Sequence, residues 1–314
     1  MTMIEFYHKS VLLNECIENL DIKPNGIYVD GTLGGGGHSL EIAKRLTDGG
    51  KLIAIDKDDD AISYASERLS EYTDRIIFVH SDYKDMMSVL DKLGIDEVDG
   101  ILLDLGVSSF QLDNRERGFS YNGDAKLDMR MDRTVDFSAY NVVNEYDEKQ
   151  LSDIIWQYGE ERFSRQIARN IVSARSIKPI ETTMELAAII ERSIPPANRW
   201  KNGNPCKRTF QAIRIEVNSE LKGLGEALEA MALRLKKGGR MCIITFHSLE
   251  DRIVKNVYKE LEKDCICPPH QPVCTCNKRQ EIKILTKKPI VSTSEELEDN
   301  SRAESAKLRV AERV

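Results

Sequence analysis

Apolar and polar positions along this chain follow two periods, and the change from one to the other divides it. In the first third, short apolar runs bounded by glycine or charge recur: "GIYVDGT", "GKLIAIDKD", "RIIFVHSDY" and "VDGILLDLGVSS". Amphipathic stretches separate them: "HSLEIAKRL", "DAISYASERL" and "MMSVLDKLG". An unbroken apolar run suits a strand buried on both faces, and apolar residues three to four apart suit a helix packed over it. Gly94 stands where it would close the third helix. Regular β-α-β alternation predicts a parallel, doubly wound sheet with right-handed crossovers.

After Ser109 the strand signal stops. "EKQLSDIIWQYG", "RFSRQIARNIVSARS" and "TMELAAIIERSI" read as helices, and "SIPPANRWKNGNPCKR" reads as a basic loop rich in Pro, Gly and Asn. A long helix, "FQAIRIEVNSELKGLGEALEAMALRLKKG", then leads into the strand "GGRMCIITFHS". The expected architecture is therefore α/β. A discontinuous domain spans 1–111 and 210–314, and a helical domain spanning 112–209 is inserted into it. The tail "SEELEDNSRAESAKLRVAERV" is so highly charged that only partial order is expected of it.

The first strand runs into "YVDGTLGGGGHS", with five glycines between Gly31 and Gly37. A phosphate-cradling P-loop would continue with Lys-Ser/Thr, but His38 follows here. The dinucleotide pattern G-x-G-x-x-G fails in every register, and Asp30 would repel a pyrophosphate. A sulfonium nucleoside, S-adenosylmethionine, carries no phosphate, and its ammonium and sulfonium suit a strand-end carboxylate. Five glycines exceed the one or two that strand-helix packing needs, which favours close approach of a ligand to bare backbone. Asp56 ends the second strand, where a carboxylate can accept from ribose hydroxyls. Asp82 and Tyr83 follow the third strand and suit an adenine edge and face, and Tyr83 reads equally well as a packing residue. Asp104 ends the fourth strand, where open α/β sheets bind ligands.

Composition adds little until its distribution is considered. The 314 residues carry a net charge of −7, with 41% hydrophobic and 31% charged residues, as in ordinary globular chains. No apolar run approaches the roughly 20 residues of a membrane span, and "MTMIEFYHKSVLL" lacks a signal-peptide pattern, so a cytoplasmic location without membrane contact is expected. Between Arg162 and Arg214, however, 11 Lys/Arg face 3 Asp/Glu, and a basic face of that kind can hold a polyanion. Arg162, Arg165 and Arg169 share helical spacing suited to phosphates. Cys16 and Cys242 lie among apolar residues, as reduced core cysteines do, and Cys206 stands alone. Cys265, Cys267, Cys274 and Cys276, with His270 between them, offer thiolates to zinc. Their C-x-C pairs depart from the commoner C-x-x-C spacing, so no metal is assigned on sequence alone.

Eight blocks carry a resemblance: "VLLNECIENL", "YVDGTLGGGGHS", "AIDKDDDAI", "DGILLDLGVSSFQLDNRERGFSY", "LDMRMD", "RTFQAIRIEVNSEL", "GGRMCIITFHSLEDRIVK" and "SAKLRVAE". In order and spacing they resemble the ribosomal RNA small subunit methyltransferase H family, from about His8 to the C-terminus. The resemblance implies a class I S-adenosylmethionine-dependent methyltransferase fold, Rossmann-like, with an inserted helical substrate-recognition domain. It implies methylation of the N4 amine of a cytidine in the decoding region, the P site, of 16S rRNA, with the assembled small ribosomal subunit as substrate. Carried over by position, it implies donor binding by Gly36, Gly37, His38, Asp56, Tyr83, Asp104 and Gln111. Some relatives carry Phe at the position of Tyr83.

Asp104 is also the candidate catalytic residue, because a carboxylate accepting an N4 hydrogen would localise the amine lone pair and take up its proton. Asp-Leu-Gly-Val lacks the Pro-Pro-aromatic of other amino-methyltransferases. Phe110, Phe119 and Tyr121 are stacking candidates or core residues, and His247 either lines the acceptor side or is structural. Three alternatives stand beside this reading: a DNA amino-methyltransferase, a small-molecule methyltransferase, and a non-enzymatic S-adenosylmethionine-binding assembly factor. The apolar N-terminal helix and the charged tail are candidate homodimer contacts.

Overall fold

The computed structural model describes residues 10–201, 203–268, 271 and 273–314. The chain divides into two compact units, residues 1–106 with 221–314, and residues 107–220.

The first unit opens with α1 (Leu13–Leu20), β1 (Ile27–Asp30), α2 (Gly37–Arg45), β2 (Lys51–Asp56), α3 (Asp59–Arg68), β3 (Ile76–His80), α4 (Met86–Lys92) and β4 (Val98–Asp104). The second unit is helical: α5 (Ser109–Asp113), α6 (Ala139–Glu145), α7 (Glu148–Gly159), α8 (Ser164–Arg175), α9 (Thr183–Ser193), α10 (Pro196–Arg199) and α11 (Cys206–Asn218). The chain then returns to the first unit with α12 (Leu224–Leu233), β5 (Leu235–Thr245), α13 (Ser248–Glu262), β6 (Ile282–Ile284), α14 (Ser294–Asp299) and β7 (Lys307–Arg313). Among the described residues no helix is long and apolar enough to cross a membrane.

The sheet order is β3-β2-β1-β4-β5-β7-β6. The five strands from β3 to β5 are parallel, and β7 runs antiparallel between β5 and β6. This is the doubly wound sheet expected of a class I methyltransferase. Leu52 to Ile55 and Ile101 to Leu103 are wholly buried, which is why both strands read as continuous apolar runs. The order in which strands are added reverses between β1 and β4, so Asp30 and Asp104 end adjacent parallel strands at the switch point.

Two expectations change here. The charged tail is ordered: its last residues form β7, inside the sheet, with Leu308, Val310 and Ala311 buried. Arg309, also buried, forms a paired contact with Asp251 of α13 at 2.7 and 3.1 Å, which offsets burial of its charge. In addition, the single long helix expected after residue 209 is two. Ser219 (φ 49°) and Gly223 (φ 75°) are left-handed and break it.

The helical unit has its own core, built from Leu151, Ile155, Ile167, Ile171, Leu186, Phe210 and Ile213 among others. Because the apolar face of α11 belongs to that core, the unit closes at Glu220 rather than at 209. It opens at Val107 rather than at 112. The Arg214–Glu220 pair (2.9 and 2.8 Å) ties the end of α11 to the turn that follows.

Candidate active site

The loop from β1 to α2 is pinned to both neighbouring strands. The Gly31 amide donates to the Leu102 carbonyl of β4 at 2.9 Å, and the Leu33 amide to the Ile55 carbonyl of β2 at 3.0 Å. The Asp104 amide donates to Thr32 Oγ1 at 2.6 Å.

Four of the five glycines answer to the protein's own packing or backbone conformation. A Cβ on Gly31 would lie 2.4 Å from Leu103 Cδ2, and one on Gly37 would lie 2.0 Å from Ser10 Oγ. Gly34 (φ 48°) and Gly36 (φ 74°) are left-handed. Only Gly35 is free of both demands, its nearest neighbours being 3.9 Å away. Most of the glycines therefore serve the fold, and the acids around the loop mark the ligand site instead.

Asp30 is 1% exposed. It accepts from the Thr32 amide at 3.1 Å and the Ser39 hydroxyl at 2.7 Å. Burial outweighs those bonds and pushes its pKa up from 3.8 to about 6. Asp56, half-buried at the end of β2, accepts from the Gly34 amide (2.8 Å) and the Asp58 amide (2.9 Å). Each of its oxygens keeps a second lone pair. Burial raises its pKa as well, against the two amide bonds.

Asp104 is the most perturbed of the three. Burial first, then the negative charges of Asp30 and Glu250, hold its pKa well above the ordinary carboxylate range. Its Oδ1 is shielded from solvent and has no hydrogen-bond partner. Its Oδ2 lies 3.9 Å from His38 Nδ1. The buried His38 donates from Nε2 to the Val11 carbonyl at 3.1 Å, which leaves Nδ1, without a proton in the neutral ring, facing the acid. A cation placed against these acids would ease the burial and mutual repulsion that hold back their ionisation. A ligand with an ammonium and a sulfonium meets that requirement, and a phosphate does not.

The remaining expected residues are placed as follows. Tyr83 is half-buried against the sheet core, with Lys84 Nζ 5.7 Å from its ring centre. Gln111 belongs to the helical unit, where its Oε1 accepts from the Ser108 amide (3.1 Å) in the capping box of α5. Phe119 is core, and Tyr121 packs edge-on to Phe210 at 5.6 Å between centroids, so neither is free to stack on a base. His247 caps α13: its Nδ1 accepts from the Glu250 amide at 3.4 Å, and its Nε2 lies 3.1 Å from Glu250 Oε1. His270 lies outside the described residues.

Sequence reasoning missed Glu250, Thr32 and Ser39. The H-x-x-E spacing of His247 and Glu250 was a capping-box signal, though with an unusual cap residue. Thr32 and Ser39 carry no signal outside the fold.

In the helical unit, Arg162, Arg165 and Arg169 are all exposed, and a groove is lined by Arg162, Arg199, Lys201, Asn204 and Arg208. Trp200 stands exposed between Arg199 and Lys201.

Residues 5–314 match the sequence profile of the MraW methylase family. The chain is 57% identical over 311 residues to "Ribosomal RNA small subunit methyltransferase H" of Clostridioides difficile (strain 630), covering 99% of this chain and 100% of that protein. It is 59% identical over 311 residues to the protein of the same name in Clostridium botulinum (strain Loch Maree / Type A3), with the same coverage. It is 54% identical over 314 residues to that of Brevibacillus brevis (strain 47 / JCM 6285 / NBRC 100599), covering all of both chains.

Proposed function

The chain belongs to the MraW methylase family, and from that membership we propose that it methylates the exocyclic N4 amine of a cytidine in the decoding region of 16S rRNA, within the small ribosomal subunit in the cytoplasm. The enzyme is an S-adenosylmethionine-dependent rRNA methyltransferase. The observation that carries the proposed chemistry is Asp104: a carboxylate at the sheet's switch point, with one oxygen shielded and unbonded, beside Asp30 and Glu250.

When bound, S-adenosylmethionine supplies a methyl group on a cationic sulfur. The protein's contribution is alignment, with donor and acceptor held roughly 3–3.5 Å apart. Asp30, Asp56 and the backbone of the glycine loop are the residues that would hold the donor. A positive charge against these acids also offsets the burial and like-charge repulsion that disfavour the Asp104 carboxylate.

The N4 lone pair of cytosine is delocalised into the ring. Asp104, by accepting an N4 hydrogen, localises that pair and then takes the proton at its carboxylate. The exposed arginines of α8 and the groove beside Trp200 serve as the RNA-binding face.

The test is transfer of tritiated methyl from S-adenosylmethionine to small subunits that lack the modification, followed by digestion and identification of the labelled nucleoside. Label is expected as N4-methylcytidine in 16S rRNA. Asp104→Asn is expected to lower the transfer rate by about 10²–10⁴-fold, a larger change than its effect on donor affinity. Label confined to DNA, no label at all, or full activity in Asp104→Asn would overturn the reading.

A further inference from the structure

The methyl-transfer chemistry leaves one cluster of reactive side chains unused. Between α13 and β6 the chain makes an exposed loop that holds Cys265, Cys267, Cys274 and Cys276. The four sulfurs converge: Cys265–Cys274 3.6 Å, Cys274–Cys276 3.6 Å, Cys265–Cys276 3.8 Å and Cys267–Cys274 3.9 Å. All four lie within 4.8 Å of one another.

These separations are far too long for disulfide bonds, at about 2.05 Å. They fit a different object. Four sulfurs at about 2.3 Å from one central ion, arranged tetrahedrally, are about 3.8 Å apart along each edge. From these sulfurs we infer that Cys265, Cys267, Cys274 and Cys276 hold a zinc ion in a closed tetrathiolate site.

Three further observations agree. Backbone amides point at the sulfurs: Ile266 to Cys276, Cys267 to Cys265, and Thr275 to Cys267, each at 3.4 Å. Amides donating to sulfur stabilise thiolate ligands and fix their orientation. Next, the described residues of the loop form no apolar core of their own. Ile266 is 60% exposed and Val273 70% exposed, so hydrophobic burial does not explain its convergence. Finally, the base of the loop is already closed by the Glu281 amide donating to the Leu261 carbonyl at 2.9 Å. A metal at the tip would convert a loop of high conformational entropy into a rigid projection.

The C-x-C spacing is no obstacle, because the sulfurs of the two pairs lie against one another. With four protein ligands no position is left open for substrate, so the ion is structural rather than catalytic. Zinc is favoured over harder ions because every ligand is a soft thiolate.

The experiment is metal analysis of the full-length protein, purified without a metal-affinity tag or chelator. A single equivalent of zinc per chain is expected, falling below a tenth of that in Cys274→Ser/Cys276→Ser. Cobalt added to the zinc-stripped protein is expected to give the visible bands and thiolate charge transfer of a tetrahedral sulfur site. Zinc removal is expected to open the loop to trypsin at Lys278 and Arg279 while bound S-adenosylhomocysteine is retained. If the double variant fails to fold, the stoichiometry and cobalt spectrum of the unmodified chain still decide. Metal-free protein with all four thiols open to Ellman's reagent, or iron in place of zinc, would overturn the assignment.

Discussion

Asp30 is buried at the end of β1 with its carboxyl held by the Thr32 amide and the Ser39 hydroxyl. Its folded pKa, about 6, exceeds the ordinary 3.8, so between those values the folded state binds more protons than the unfolded state. Stability therefore falls as pH rises through that window and is regained on acidification. Asp56 and Asp104 are shifted in the same direction. Acids shifted downward by partners, such as Asp99 and Asp128, act at lower pH and oppose this only there. Urea denaturation of the ligand-free protein should show it more stable at pH 5 than at pH 7. In Asp30→Asn that rise should shrink by an amount on the order of 1 kcal/mol. Parallel profiles for the two proteins would show that Asp30 is not the titrating group. The strand-end positions of Asp30, Asp56 and Asp104 were legible in the sequence, because an acid ending an apolar run has few other places to be. The unbonded Oδ1 of Asp104 was not, since it depends on what surrounds the residue from β1 and α13.

At the scale of elements, legibility followed period. "EKQLSDIIWQYG" coincides with α7, because an amphipathic helix with an Asp147–Gln150 capping box marks both its face and its start. β7 was not legible. Its buried Leu308 and Val310 alternate with charged residues, and local composition reads such a segment as solvated. Only pairing with β5 and the bidentate contact from Asp251 make burial of Arg309 tolerable. If β7 is an inner strand, Leu308→Ala should cost about 2–5 kcal/mol and lower the denaturation midpoint of the sheet unit. A change within about 0.5 kcal/mol would be the behaviour of a surface tail and would contradict its place in the sheet.

For the whole molecule, the decisive contrast is one of charge. A chain of net −7 carries exposed arginines and a basic groove in its helical unit, whereas its sheet unit gathers buried and half-buried acids at the strand ends. The first suits a polyanion, and the second suits a cationic donor. Arg165→Glu/Arg169→Glu should weaken binding to small subunits and flatten its salt dependence by roughly 0.7–0.9 per lost phosphate contact, with S-adenosylmethionine affinity unchanged. An unaltered salt slope would remove α8 from the RNA-binding face. The order of strands and helices, the inserted helical segment and the acids at the strand ends were determined by the sequence itself, since periodicity and residue type act locally. Tertiary structure alone decided which acids sense one another's charge, which glycines serve packing, that α11 completes the helical core, that the charged tail enters the sheet, and that four cysteines meet. Each of these depends on distances between residues far apart in the chain, and a local pattern carries no record of those distances.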